Sequence, residues 1–432
     1  MDDIHLTPYQ AALDYLFARV SGGWKLGLDT THALLKEMGD PHRRFPSLHV
    51  AGTNGKGSVV SMLDAMLRDR GLRVGRYMSP HLIDFRERIC IDGVPISESA
   101  VVQFIERWLP EVEGRGATFF EATTCMAFDH FARERVDVAV VEVGLGGRLD
   151  STNVLTPVAT GVTSIGLDHV QHLGNTRELI AREKAGIFKP GVPAVIGEPD
   201  PAIRALLTRL AHDAGANKVL AVGDDWLVND IVVDASGTAF TLTDDMPGRR
   251  RELRTALVGR YQATNAATAL AMLELAGPPY ASAADDAGHA LGRVAVPGRF
   301  QWCGNVIFDV AHNPAGVRVL CENIDAVRPP RPITCLLTVL VDKDWRSMMT
   351  LLAAHVDRFV LTAPPSVPSD RAWVLEDAAG FARECGWSAV SEPDFDRALE
   401  MARRDVATTL ITGSFHTVGD AMSRLQVSPL TR

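Results

Sequence analysis

Lys56 lies in the stretch SLHVAGTNGKGSVVSMLDAML, residues 47–67, between a short apolar run and a helix-period run. A lysine and several glycines at a strand-to-helix turn suit one chemistry well. Backbone N–H groups converge on one spot, the helix N-terminus adds partial positive charge, and the ammonium reaches the β- and γ-phosphate oxygens of a nucleotide. The spacing departs from the common G-x-x-x-x-G-K-[ST] form. Gly55 precedes the lysine, but Val50 holds the outer glycine position. Gly57 follows the lysine, so the hydroxyl that could hold Mg²⁺ comes at Ser58. The competing reading is a tight turn whose glycines serve backbone geometry alone. The strand before and the amphipathic helix after favour the nucleotide site.

Other polar residues stand just past apolar strands, where open α/β sheets place ligands. Glu142 ends the run VAVVE and is costly to bury there without a cation. It has the position of a metal ligand, against a turn or capping carboxylate as the alternative. The glycines that follow leave room for a phosphate, with Arg148 close by in GLGGRLDSTN. His169 and His172 in LDHVQHLG are candidate ligands or structural hydrogen-bonders. Ser79, Pro80 and His81 follow a further strand in MSPHL. Asp309, His312 and Asn313 share FDVAHNP. Arg299 in PGRFQ, the run LVDKDW and the run TGSFHTVGD complete the polar set. By spacing alone Lys184, in REKAGIF, reads as a surface lysine.

The elements that must carry these groups alternate strand and helix. SLHVA, LRVGRYM, VDVAVVEVG, VATGVTSIG and VPAVIGEP read as strands between helical segments such as EATTCMAFDHFARER and TRELIAREKAGIF. Near-continuous Val/Ile runs predict a parallel sheet buried on both faces, in a doubly wound α/β core. From Val219 the pattern LVNDIVVDASGTAFTLTD alternates with period two and predicts an antiparallel appendage. The helix ATNAATALAMLELAG follows. After a Pro-Gly break the α/β rhythm restarts with NVIFDVA, ITCLLTVLV, RFVLTAP and TTLITGS, which places a domain boundary near Pro297, giving 1–296 and 297–432.

Bulk properties bound the partners. The chain has 432 residues, a net charge of −9, 46% hydrophobic and 22% charged residues, so an ordinary globular protein of two domains is expected. The acidic balance argues against nucleic acid as a main partner, and the run GRRRELR reads as a solvated hairpin. The six cysteines contain no C-x-x-C pair, which argues against zinc or a disulfide framework and for reduced thiols in the cytoplasm. The start MDDIHLTPYQ carries no basic-then-apolar signal, and no apolar run reaches membrane-spanning length, so neither a leader nor a membrane is expected.

Taken in order, GTNGKGSV, MSPHL, VEVGLGGRLDSTN, LDHVQHLG, REKAGIF, TNAATALA, PGRFQ, FDVAHNP, DKD and GSFHTVG resemble the successive motifs of folylpolyglutamate synthases. The narrower resemblance is to the bacterial bifunctional dihydrofolate synthase/folylpolyglutamate synthase, a branch of the Mur-ligase superfamily. It spans nearly the whole chain. The resemblance implies a P-loop nucleotide-binding domain, a smaller Rossmann-like C-terminal domain and an active site between them. It implies an ATP cradle at Thr53, Asn54, Gly55, Lys56, Gly57 and Ser58, with Asn265, Arg299 and Asp309 also contacting ATP. It implies two Mg²⁺ ions, one near Ser58 and one held by Ser79, Glu142 and His169. It turns Lys184 into a lysine carbamate formed with CO₂, an anion that could orient metal or substrate. Thr118, Phe120 and Ala122 resemble the stretch that contacts a pterin, and the resemblance adds Leu149, Asp150 and Lys25 to it. His312 and Ser414 are candidates for contacting glutamate or the intermediate. The glycine after the loop lysine is this family's own variant.

The implied reaction is ATP-dependent amide formation. A substrate carboxylate takes the γ-phosphoryl group while Lys56, Arg148 and the metal ions stabilise the moving charge, and the amine of L-glutamate then displaces phosphate. Dihydropteroate and reduced folates would be the acceptors, and a monomer is expected. The rivals are a monofunctional folylpolyglutamate synthase, a Mur peptidoglycan ligase and a phosphate-loop regulatory ATPase. The 51 residues before Gly52 are too few for the UDP-binding domain of the second. The third leaves the polar cluster of the second half unexplained.

Overall fold

The computed structural model describes residues 7–20, 27–244, 249–367 and 371–428; Lys25 lies outside them. Strands β1 (Ser47–Ala51), β2 (Val74–Tyr77), β3 (Ile89–Ile91), β4 (Val94–Pro95), β5 (Val138–Glu142), β6 (Ala159–Val162), β7 (Ala194–Ile196) and β8 (Val219–Ala221) form one sheet in the order 4-3-2-5-1-6-7-8. The six strands from β2 to β8 are parallel, and β3 and β4 extend the edge antiparallel. Every residue of β1, β5 and β6 is buried, as a parallel sheet covered on both faces requires. Chain order reverses direction around β1, so its carboxyl end is a topological switch point, where open α/β sheets bind ligands.

The antiparallel appendage is a three-stranded sheet of β9 (Leu227–Asp234), β10 (Gly237–Thr243) and β11 (Arg250–Thr255). Its arginines are spent inside the protein: Arg250 pairs with Asp230, Arg254 with Asp234, and Arg251 with both Asp244 and Glu274. The basic run is therefore a self-neutralised strand. The helix Arg260–Ala276 follows, with its alanine-rich face buried against the helix Lys56–Asp69 and the first sheet.

A second sheet begins at Gln301. Strands β12 (Gln301–Cys303), β13 (Val306–Phe308), β14 (Ile333–Leu337), β15 (Arg358–Leu361), β16 (Ala389–Ser391) and β17 (Thr408–Thr412) lie in the order 12-13-17-14-15-16, parallel except for β12. Separate apolar clusters cover its two faces. The expected class, a parallel α/β phosphate-loop unit plus a smaller Rossmann-like unit, holds. We propose that the domains divide as 1–296 and 297–432.

One glycine shows how tightly the loop after β5 is fixed. A Cβ on Gly147 would stand 2.8 Å from the Glu183 carbonyl oxygen and 2.9 Å from that of Lys184. Both are backbone atoms near the end of the helix Arg177–Ala185, so neither side can give easily. Gly147→Ala is expected to cost about 1–3 kcal/mol of unfolding free energy by overpacking, read in a urea titration. An unchanged midpoint would show that the loop and helix can separate at no cost.

Candidate active site

The helix Lys56–Asp69 starts from Gly55, whose φ of +94° places it in the left-handed region, and no side chain caps it. Its first-turn N–H groups are therefore left for another acceptor. The loop is braced from behind. Thr163 Oγ1 and Ser164 Oγ donate to the Asn54 carbonyl at 2.8 and 3.1 Å, and Thr53 N donates to Ser164 O at 2.7 Å. A Cβ on Gly55 would lie 2.7 Å from Asn265 Oδ1, so Asn265 flanks the cradle directly. Lys56 Nζ folds back over the loop and donates to the carbonyls of Gly52 at 3.1 Å and Thr53 at 3.2 Å. Gly57 and Ser58 complete the buried first turn.

Glu142 ends β5, in register with Val50 of β1. Its side chain is 5% exposed, and Lys56 Nζ stands 3.8 Å away. Ser79 N donates to its second oxygen at 3.2 Å. Burial pushes the Glu142 carboxyl above its ordinary range, opposed by Lys56, the Ser79 amide, Arg299 and Arg88. Among the described residues no three His, Cys, Asp or Glu side chains form a self-sufficient metal site. A buried carboxylate beside hydroxyl residues and a phosphate cradle still fits Mg²⁺, which takes one or two carboxylates and fills the rest of its shell from phosphate and water.

Lys184 is buried in the helix Arg177–Ala185, which corrects the surface-lysine reading. Burial, reinforced by the Lys56 charge, lowers it to about 7, so near neutral pH much of it is free amine. His169 has φ +49° and is half-exposed; burial and the cations around it hold it down at about 4. His172 is exposed on the next turn.

Asp168, beside His169, joins the two domains. Lys343 Nζ donates to its Oδ1 at 2.9 Å, Asn313 Nδ2 donates to its Oδ2 at 3.3 Å, and His312 Nε2 lies 3.4 Å from that oxygen. Burial would raise this carboxyl, but the His312 contact and the charges of His169, His312 and Lys343 outweigh it and hold it well below the usual carboxylate range. Asp309 accepts from the backbone N–H of Phe300 and of Ala311, both at 2.9 Å, and feels the charge of Arg299, which lies over the Phe415 ring. Arg299 thus acts on an acid from each domain.

Several expected residues also have partners within the protein. The Arg148 side chain is 56% exposed and pairs with Glu183 at 3.0 Å. Asp150 accepts from Leu145 N and Thr152 N and braces its own loop, with Leu149 half-buried beside it. Thr118 caps the helix Phe119–Arg133 in a capping box with Glu121, and Ala122 is wholly buried. Ser414 caps the helix Phe415–Arg424 through Thr417. Phe120 does reach the site region: its ring presses on Gly144, two residues past Glu142. Asp168 and Lys343 were visible only as parts of motifs. An acid two residues past a strand-end glycine, and a lysine flanked by aspartates, were the available signals. Nothing in FRERIC distinguished Arg88.

A phosphate cradle on one α/β unit, facing the acidic and amide-bearing edge of a second, defines an ATP-dependent ligase of the Mur type. The Mur ligase middle domain matches residues 50–273, and the Mur ligase, glutamate ligase domain matches residues 298–415. The dihydrofolate synthase/folylpolyglutamate synthase of Bacillus subtilis is 34% identical over 97% of this chain and 100% of its own. The Escherichia coli FolC structure in complex with DHPP and ADP is 33% identical, with a TM-score of 0.84 over 97% of this chain and 98% of that one. The Yersinia pestis bifunctional folylpolyglutamate synthase/dihydrofolate synthase complexed with AMPPNP and Mn ion is 34% identical, with a TM-score of 0.83 over the same shares. The chain belongs to the dihydrofolate synthase/folylpolyglutamate synthase family, as its motif series led us to expect.

The Asp168 contacts predict a clasp. Asp168→Ala should widen the spread of domain orientations, raise the radius of gyration in small-angle scattering, and lower kcat/KM roughly 10²-fold by misplacing the facing groups. An unchanged scattering curve with unchanged kcat/KM would show that Asp168 does not hold the domains in register.

Proposed function

We propose that this chain is an ATP-dependent ligase that joins L-glutamate to dihydropteroate, forming dihydrofolate, and to reduced folates, forming polyglutamates. ATP-dependent glutamate ligation is the chemistry of the family. The observation that carries it here is the convergence of Lys56, Glu142 and Arg299 at the sheet edge that faces the second domain. Both acceptors end in a carboxylate, a poor electrophile that ATP must activate.

One carboxylate oxygen attacks the γ-phosphorus and ADP departs, leaving an acyl phosphate. The N–H groups of the loop and Lys56 hold the phosphate oxygens where charge moves. The neutral amine of glutamate then attacks the acyl carbon. Phosphate leaves with the former carboxylate oxygen, and the amine proton passes to a neighbouring acceptor. Asn265, Arg299 and Asp309 surround the nucleotide from both domains. Ser58, Ser79, Glu142 and His169 would hold the two Mg²⁺ ions, which supply charge neutralisation of the polyphosphate when bound. Glutamate, whose two carboxylates need cations and amide donors, would enter beside the Asp168 clasp, where Lys343, His312 and Asn313 gather. A monomer suffices, since one chain supplies every group named. The six unpaired cysteines suit the reducing cytoplasm. Among the described residues no helix is long and apolar enough to cross a membrane.

Lys184 is read as a carbamate. CO₂ adds to the neutral amine and not to the ammonium, and a group lowered to about 7 is increasingly neutral as pH rises through that value. Enzyme stripped of CO₂ should therefore recover activity on adding bicarbonate, more completely at pH 8 than at pH 6. Lys184→Ala should lose activity roughly 10²-fold and ignore bicarbonate. Full activity in that variant would remove the carbamate role.

Lys56→Ala should lower the phosphate-release rate about 10²–10³-fold with an unchanged circular-dichroism spectrum. Wild-type release should require both an acceptor and glutamate. Dihydropteroate and tetrahydrofolate, offered separately, decide between the bifunctional and the monofunctional enzyme. Release that ignores both acceptors would favour a regulatory ATPase.

A further inference from the structure

Arg88 is a buried cation that the reaction above does not use. It ends the short helical turn Phe85–Arg88 that leads into β3, and it is 8% exposed. Among the described residues its side chain makes one hydrogen bond, Nε to His81 Nδ1 at 2.7 Å, and no carboxylate lies within ion-pair distance. Its guanidinium carbon stands 5.1 Å from the centre of the Phe119 ring. Leaving a buried guanidinium with one neutral partner is costly unless a further acceptor comes to it.

Its place says what that acceptor is. The Arg88 carbonyl accepts from Met78 N at 3.0 Å, and the next residue, Ser79, donates its N–H to Glu142. Arg88 is therefore one backbone pairing away from the metal-side carboxylate, and its charge is felt there. On its other side stand Phe119 and Phe85, with His81 beside them. The Nε–H of Arg88 donates to His81 Nδ1, which fixes the plane of the guanidinium and leaves its two terminal nitrogens for another acceptor.

We propose that Arg88 is the acceptor-carboxylate anchor, its free guanidinium nitrogens binding one oxygen of the carboxylate to be phosphorylated. This rests on the ligase reading above. The acceptor must bring an anion against the γ-phosphate of ATP, and a fixed cation between them cancels the repulsion. A planar fork also sets the direction of approach, which a lysine's point charge would not. Holding one oxygen leaves the other to attack phosphorus. Dihydropteroate and reduced folates differ in length but must present a carboxylate to the same phosphate, so one anchor serves both.

The test compares binding of dihydropteroate and of its carboxamide analogue, which keeps the planar body and loses the charge. The wild type should prefer the acid by roughly 30- to 100-fold. Arg88→Met should bind the two within about threefold, with ADP affinity and melting temperature near wild type. Arg88→Lys keeps the charge without the fork and should fall between, and it carries the test if the methionine variant does not fold. The proposal is overturned if the wild type does not discriminate, if either variant keeps the wild-type preference, or if ADP affinity falls in parallel. Wild-type phosphate release with dihydropteroate and glutamate checks the underlying reading separately. Its absence ends both, whereas its presence with unaffected Arg88 variants ends this proposal alone.

Discussion

A carboxylate buried at the carboxyl end of a central strand is the constraint around which this molecule is arranged. Glu142 cannot ionise there unaided, since burial favours its neutral form. The fold answers from four separate segments, with three cations and one amide: Lys56 from the phosphate loop, Arg299 from the domain junction, Arg88 from the strand edge and the Ser79 N–H from a neighbouring strand end. A parallel sheet makes this possible, because parallel strands deliver all their carboxyl ends to one edge. The same burial that makes Glu142 costly drives Lys184 toward the neutral amine. One dry edge thus tunes an acid and a base in opposite senses.

The second sheet is needed because the first presents only half of a reaction. The cradle can hold and polarise a polyphosphate, but the incoming amino acid must arrive from the opposite side. Asp168 ties the two halves together with one carboxylate and three partners from the second domain. Because those partners stand at the carboxyl ends of β13 and β14, the clasp brings the two sheet edges face to face. The interdomain register is then set by charge in a shielded place, where it is worth more than at the surface.

Much of this was legible in the residues, for physical reasons. Runs such as VAVVE and SLHVA are apolar on both faces, so they announced buried parallel strands and, through the one acid that breaks them, the site. The antiparallel appendage announced itself by period two. The β3–β4 hairpin did not, because ICI and VP are too short for any period, although Asp92-Gly93 marks its turn. Side-chain direction was the harder matter. Spacing placed Arg148 beside the phosphate but could not show its pairing with Glu183, 35 residues away in sequence. Thr118 and Ser414 carry residue types that both bind ligands and cap helices, and the sequence alone did not show that both cap. Lys184 read as exposed because a charged helix, RELIAREKA, hides which of its faces is buried. Arg88 and Asp168 depend on partners distant in sequence, and no local pattern carries such information.

The central claim is that ATP activates a carboxylate as an acyl phosphate at the Lys56–Glu142 edge. Labelling the acceptor carboxylate with oxygen-18 and following one turnover by mass spectrometry tests it most directly. The account predicts one labelled oxygen in the inorganic phosphate released, with ADP as the nucleotide product. Label appearing in AMP alongside pyrophosphate, or unlabelled phosphate, would contradict it.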